Sequence, residues 1–278
     1  MGGEPGGEAG RRDGGESRSA EDDRRRVVKD LSDVAAGVDA GRVPEALCLA
    51  CARLLPISGA SVSISASRML RTTLCASDTT AARLAEAQYT LGEGPCQSAF
   101  EVAVPVLASD LTQGPDTRRW PVFAQQALQL GVRAAFSLPL GVGAEPVGTL
   151  DLYCETSGGL SDRDLRIALM VRDAITFAVL NLESATAARP GEDPDEVAAW
   201  IAAAEADHTE VHQAIGMVMV QLDVDPQQAL DRMRGRAFTE GRTVSEVAED
   251  VVARRLRFRP DTGPGQGPDA EPGRRPDT

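Results

Sequence analysis

Between Val211 and Phe258 the chain runs through three short apolar stripes at helical spacing, with residues between them that stop one helix and start the next. Val211, Ile215, Val218 and Leu222 recur at the 3.6-residue period of one helix face. Asp225 stands where it can cap the next helix, and Pro226 suits a first turn that needs no amide hydrogen. Ala229, Leu230, Met233 and Ala237 form the second stripe, and Gly241 is a left-handed stop. Thr243 and Glu246 have capping-box spacing for a third helix, whose buried face is Val244, Val247, Ala248, Val251, Val252 and Leu256. Three amphipathic helices joined by such short connectors bury their stripes only by closing on one another. Gly216 and Gly235 fall inside helices, where each costs about 1 kcal/mol relative to alanine, so a close helix-to-helix approach is expected at both.

The rest of the chain follows a different pattern. Residues 1–21 are rich in Gly, Glu, Arg and Ser and read as a disordered tail, as do the Pro-, Gly- and Asp-rich residues 260–278. Over 22–186 the pattern mixes helices with strands. Helices are expected over 22–40, with Val27, Leu31, Val34 and Val38 as the stripe, and over 44–55, 80–89 and 120–130. A further helix runs from a Ser161 cap to about residue 184. Strands are expected over 61–66, 70–76, 104–107, 134–140 and 147–154. This is an α+β domain, an antiparallel sheet flanked by helices. Pro190, Gly191 and Pro194 break the chain in a linker at 187–194. Helical character then resumes from 195 and runs into the all-α bundle, giving a second domain at 195–259. The stripe of Val197, Trp200, Ile201 and Ala204 suits a coiled coil with a second copy or a contact with the first domain.

The net charge of −13 does not favour general attraction to nucleic acid. From Val211 to Arg259, however, arginines and carboxylates nearly balance, so this module is locally much less acidic than the rest. No apolar run is long enough to span a membrane and no apolar leader opens the chain, so a cytoplasmic location is expected. The five cysteines are scattered, and Cys48 and Cys51 sit among apolar residues with no second pair to complete a zinc set, so they read as structural. His208 and His212 have helical metal-ligand spacing but no third ligand. With no haem, nucleotide or metal set in view, the cofactor is left unknown and no catalytic residue is assigned. Cys96 follows Pro95 at a helix start, where the helix dipole would lower its pKa; the competing reading is a buried core thiol.

These residues carry two resemblances. Gln213-Ala214 with Gly216-Met217 and Met219, then Ala229-Leu230 with Arg234 and Ala237, then Val247-Ala248 with Val251-Val252, together resemble the ANTAR family of RNA-binding output domains. Ile215 departs from that pattern, since many members carry lysine there. The order of Leu91-Gly92-Glu93-Gly94-Pro95-Cys96, Asp110-Leu111, Trp120-Pro121 with Phe123, Phe136 to Leu140 and Val147 to Tyr153 resembles the GAF family of sensor domains. The resemblances imply a non-enzymatic regulator, dimeric, that binds paired stem-loops in a nascent leader transcript and prevents termination. A small molecule or redox signal would act on the sensor, with Cys96 as the candidate there. Gln213, Arg234, Arg236, Arg242, Arg254 and Arg255 are the residues expected to face RNA, with Arg232 and Arg257 as weaker candidates. Two other readings stay open. One is a signal-sensing module whose C-terminal helices dock a protein. The other is an enzyme, such as a sulfoxide reductase, using Cys96 with Cys75 or Cys154 as resolving thiol.

Overall fold

The computed structural model describes residues 9–67, 70–142, 145–188 and 197–259. The first domain is built on five antiparallel strands: β1 (Gly59–Ser67), β2 (Leu70–Ala76), β3 (Val106–Ala108), β4 (Ala134–Val142) and β5 (Glu145–Cys154). Their order across the sheet is β2-β1-β5-β4-β3. In β4 and β5 the alternation of side chains sets the two faces apart. Phe136, Leu138, Leu140, Leu150 and Leu152 point to one side, where they pack with α1 (Ala9–Ala36), α2 (Val43–Leu54) and α7 (Asp162–Ala188). Val27 and Leu31, then Leu47, Cys48 and Cys51, then Ile167, Val171 and Ile175 fill this layer from the three helices.

The opposite face of the sheet is polar and still buried. Ser61, Ser63, Ser137, Thr149 and Asp151 form it, with Arg71 beside them. It is covered by α3 (Thr79–Leu91), α4 (Pro95–Val102) and α6 (Pro121–Gln129), with α5 (Pro115–Arg119) packed beside α6. Trp120 and Phe123 are core residues of this second layer, together with Leu84 and Leu111.

The second domain is α8 (Val197–Leu222), α9 (Pro226–Glu240) and α10 (Val244–Val252). Its apolar stripes close on one another as expected, with Val211, Val218, Leu230, Met233, Val247 and Val251 fully buried. Asp225 and Gln228 form one capping box and Thr243 and Glu246 another, while Gly241 ends α9 at φ 65°. Each box satisfies amides that the first helical turn leaves without partners.

Three expectations are corrected. The N-terminal helix begins at Ala9, so residues 9–21 are helical; extending a helix already packed through Val27 and Leu31 is easier than nucleating one. Short helix α5 lies in a stretch to which no element was assigned. Among the described residues nothing lies within 4 Å of a β-carbon placed at Gly216 or Gly235, so no close helix approach is seen at either. Residues 1–8, most of the 187–194 linker and residues 260–278 lie outside the described residues, as do the side chains of Trp200, Ile201, Ala204 and His208.

Candidate functional site

The two domains meet where α8 packs beside β2 and along α3, which presents different residues to each. Ala81, Leu84, Ala85 and Gln88 are buried toward the sheet. Tyr89 belongs instead to the core of the helical bundle. Arg234 of α9 reaches across, and its Nε donates to the Tyr89 carbonyl at 3.1 Å. Its guanidinium lies 5.7 Å from the centre of the Tyr89 ring, and Asp231 lies 3.5 Å away. Burial lowers the Arg234 pKa, opposed by Tyr89 and Asp231. Gly92 ends α3 at φ 67°, and a β-carbon there would stand 3.0 Å from the same guanidinium. Glycine therefore meets two demands at this point, a left-handed stop and room for Arg234.

One turn away a second set of contacts joins α3 to the start of α10. The Val244 amide donates to Thr90 Oγ1 at 3.1 Å. Thr90 donates in turn to Glu86 Oε1 at 3.2 Å, and Ser245 donates to the same oxygen at 3.4 Å. Desolvation raises the Glu86 pKa to about 7 against the pull of those two hydroxyls, and Glu246 adds repulsion. Open clefts of about 550 and 650 Å³ flank the junction, with Phe238, 58% exposed, lining both.

The six residues expected to face RNA separate into three groups. Arg234 grips the sensor, as above. Arg236 pairs with Glu240 at 2.5 Å, Arg242 with Asp250 at 2.8 Å and Glu240 at 3.2 Å, and Arg255 with Asp250 at 2.7 Å. These are surface pairs, individually weak, whose arginines a phosphate can recruit. Gln213 and Arg254 are exposed and line one groove together with Arg257. Ile215 is 6% exposed and packs in the bundle core, so no polar contact is made from that position.

Inside the sensor, Cys96 sits in the first turn of α4, where the sequence placed it, but only 1% exposed. Burial pushes its thiol pKa well up, opposite to the expected depression. Desolvation outweighs the helix terminus, which is worth only about 0.3–1 kcal/mol. Cys75 and Cys154 pack with the aliphatic layer across the sheet, so neither stands beside Cys96 as a resolving thiol. Below Cys96 lies the polar face of the sheet. Asp151 accepts from Ser137 at 2.6 Å and Thr149 at 3.0 Å and lies 3.5 Å from Arg71, which also bonds Thr149. Burial raises the Asp151 pKa, opposed first by Arg71. Gln88 Oε1 accepts from the Cys96 amide at 2.9 Å, and Glu93 Oε1 caps α6 through the Val122 and Phe123 amides at 2.9 and 2.8 Å. The segment from Gln88 to Cys96 thus ties α3, α4 and α6 together between the polar face and the domain junction. Arg71, Glu86, Tyr89 and Thr90 carry no motif that marks them in the sequence. The alternating Ser61, Ser63, Thr149 and Asp151 of central strands was the one available signal for the polar face.

Comparison with known proteins agrees with this division. The GAF domain family matches residues 41–180 and the ANTAR domain family residues 201–252. No curated protein matches the chain. Similar solved structures include the GAF domain of a phosphoenolpyruvate-protein phosphotransferase from Coxiella burnetii, at 13% identity and TM-score 0.46, covering 60% of this chain and 96% of that one. The GAF domain of the corresponding Acinetobacter protein has 9% identity and TM-score 0.45, covering 60% and 97%. A free methionine-R-sulfoxide reductase from Neisseria meningitidis, in complex with its substrate, has 14% identity and TM-score 0.43, covering 60% and 93%. Among the described residues no helix is long and apolar enough to cross a membrane. The chain belongs to the GAF domain family and carries behind that sensor an ANTAR domain, an RNA-binding antitermination module.

Proposed function

We propose that this protein is a signal-responsive, non-enzymatic antitermination regulator that binds paired stem-loops in a nascent leader transcript, in the cytoplasm. The observation that carries the reading is the ANTAR bundle with Gln213, Arg254 and Arg257 exposed on one side, held on its other side to the sensor through Arg234. The sensor acts by shifting the population in which that hold is released. A signal at the polar face beneath Cys96 is felt by Gln88, and Gln88 is the chain neighbour of Tyr89, whose carbonyl Arg234 grips. To move such an equilibrium from 1:99 to 99:1 the signal needs about 5.5 kcal/mol of differential binding. Release also frees Arg234 for phosphate.

Two stem-loops call for two output domains. We place the homodimer contact on α1 and α7, where Phe177 is 70% and Val28 50% exposed along an apolar cleft of about 710 Å³. Exposed apolar area of this kind marks an association surface.

The test is crosslinking of the full-length protein to cellular RNA, sequencing of the bound fragments, and comparison with a Gln213→Ala/Arg254→Ala variant. Paired short hairpins ahead of terminators, lost in the variant, are the expected result. Equal recovery in both, or binding indifferent to salt, points to a protein partner, because neutralising RNA phosphates makes affinity fall steeply with salt.

A further inference from the structure

Resting on the RNA-binding reading, we infer that the groove beside Gly216 is a receptor for a single unpaired base of the RNA loop, with the flanking phosphates held by Arg254 and Arg257. The groove is about 680 Å³, within the usual range of small-ligand sites, and its shape follows from the way the chain leaves α10. Arg254 turns the backbone back at φ 59°. The Phe258 amide is then held against α8 by Gln221 Oε1 at 2.8 Å, so Leu256 lies opposite Met217 and Val220 across the groove.

Three observations point to this occupant. The first is the mixed lining. Val220 is 86% exposed, and with Met217 and Leu256 it offers an apolar surface to one planar group. Gln213 stands at the rim with a donor and an acceptor, the pair that reads a base edge. The second is charge. Arg234, Arg236, Arg242 and Arg255 each lie beside a carboxylate, whereas neither Arg254 nor Arg257 has one among the described residues. Two uncompensated guanidiniums on one groove call for an anionic ligand, and guanidinium planes also stack on bases.

The third is Gly216. It weakens the middle of α8, yet nothing among the described residues lies within 4 Å of where its β-carbon would be. The opening it leaves faces this groove and gives a ligand room to reach the helix backbone. An acidic peptide satisfies the charge but leaves the planar apolar surface and Gln213 without a role, so RNA is the favoured occupant.

The experiment starts with a pool of RNA stem-loops carrying a randomised loop, enriched on the full-length wild-type protein. The winning stem-loop is synthesised with each loop base in turn replaced by an abasic site. Binding is measured to wild type, to Gly216→Leu, which fills the groove, and to Gly216→Ala, which adds little volume and strengthens the helix. Both variants are expected to fold, because the added atoms enter open space. One abasic position should weaken wild-type binding at least tenfold. Gly216→Leu should bind the intact stem-loop at least tenfold more weakly and be indifferent to that abasic site. Tight binding by Gly216→Leu, or no sensitive loop position, overturns the base receptor while leaving RNA binding in place. If no stem-loop is enriched at all, the RNA reading falls with it.

Discussion

Glu86 makes the domain junction sensitive to protons, and the size of the effect follows from its surroundings. Its carboxyl is moved from an ordinary 4.5 to about 7, first by desolvation. Thr90 and Ser245 donate to it, Glu246 repels it, and Arg83 and Arg242 line the same cleft. A tenfold change in proton affinity is worth about 1.4 kcal/mol, so the closed junction favours the neutral carboxyl by roughly 3 kcal/mol. The sign follows from linkage: the closed state binds the proton more tightly, so closure is fully supported below pH 4.5 and loses support as pH rises to about 7. The Val244 amide reports this directly. It stands at the first position of α10, has no partner within its own helix, and is bonded only through Thr90. Its hydrogen-exchange protection, corrected for intrinsic rate, should fall about a hundredfold between pH 5 and pH 8. Glu86→Gln keeps the oxygen that accepts from Thr90 and Ser245 but never ionises, so its protection should stay level across that range. A parallel fall in Glu86→Gln would refute the reasoning. At roughly 3 kcal/mol, protonation alone falls short of the 5.5 kcal/mol needed for a full switch, so it biases the junction rather than throwing it.

Other perturbations follow from the same contacts. Phe177→Glu should shift the protein from dimer to monomer in sedimentation velocity while leaving its circular dichroism unchanged; an unaltered sedimentation coefficient would place the dimer contact elsewhere. Arg71→Met leaves the buried Asp151 without its counter-charge, and should lower stability to urea by about 3–5 kcal/mol, with Arg71→Met/Asp151→Asn recovering much of it. If the double variant is no better than the single one, the pair is not the reason. Gly92→Ala introduces left-handed strain of about 1–2 kcal/mol and crowds Arg234, so exchange at Val244 should speed up while exchange in β4 and β5 does not. Uniform acceleration would mean general unfolding instead.

What the sequence made legible was local. The bundle could be read almost residue by residue, because its stripes, caps and stops act within a few positions, as Asp225 with Gln228 and Thr243 with Glu246 show. Arg236 with Glu240 is equally local, an i,i+4 pair. The sheet was legible in its strands. The short helix α5, packed beside Trp120, gave no periodic signal over its five residues. The partner of Arg234 was not legible. An arginine on an amphipathic helix looks solvent-facing, and nothing in the surrounding sequence announces that its partner is a carbonyl oxygen of the other domain. Cys96 shows the same limit in another form: its position at a helix start was local information, while the desolvation that reverses its pKa comes from the tertiary structure. Gly216 and Gly235 were assigned to helix packing, and the packed structure leaves both open.

The bond between Arg234 and the Tyr89 carbonyl has a consequence for how such a protein can diversify. A carbonyl is supplied by any amino acid, so this point of attachment survives substitution along most of α3. The sensor's interior can be rewritten for a new ligand without redesigning its grip on the output. What must be inherited unchanged is a shape: a helix that stops at Gly92 with nothing projecting from its end. Grafting another sensor onto this output should therefore succeed or fail on the geometry of that helix terminus and on the few side chains the bundle touches there, Glu86, Tyr89 and Thr90.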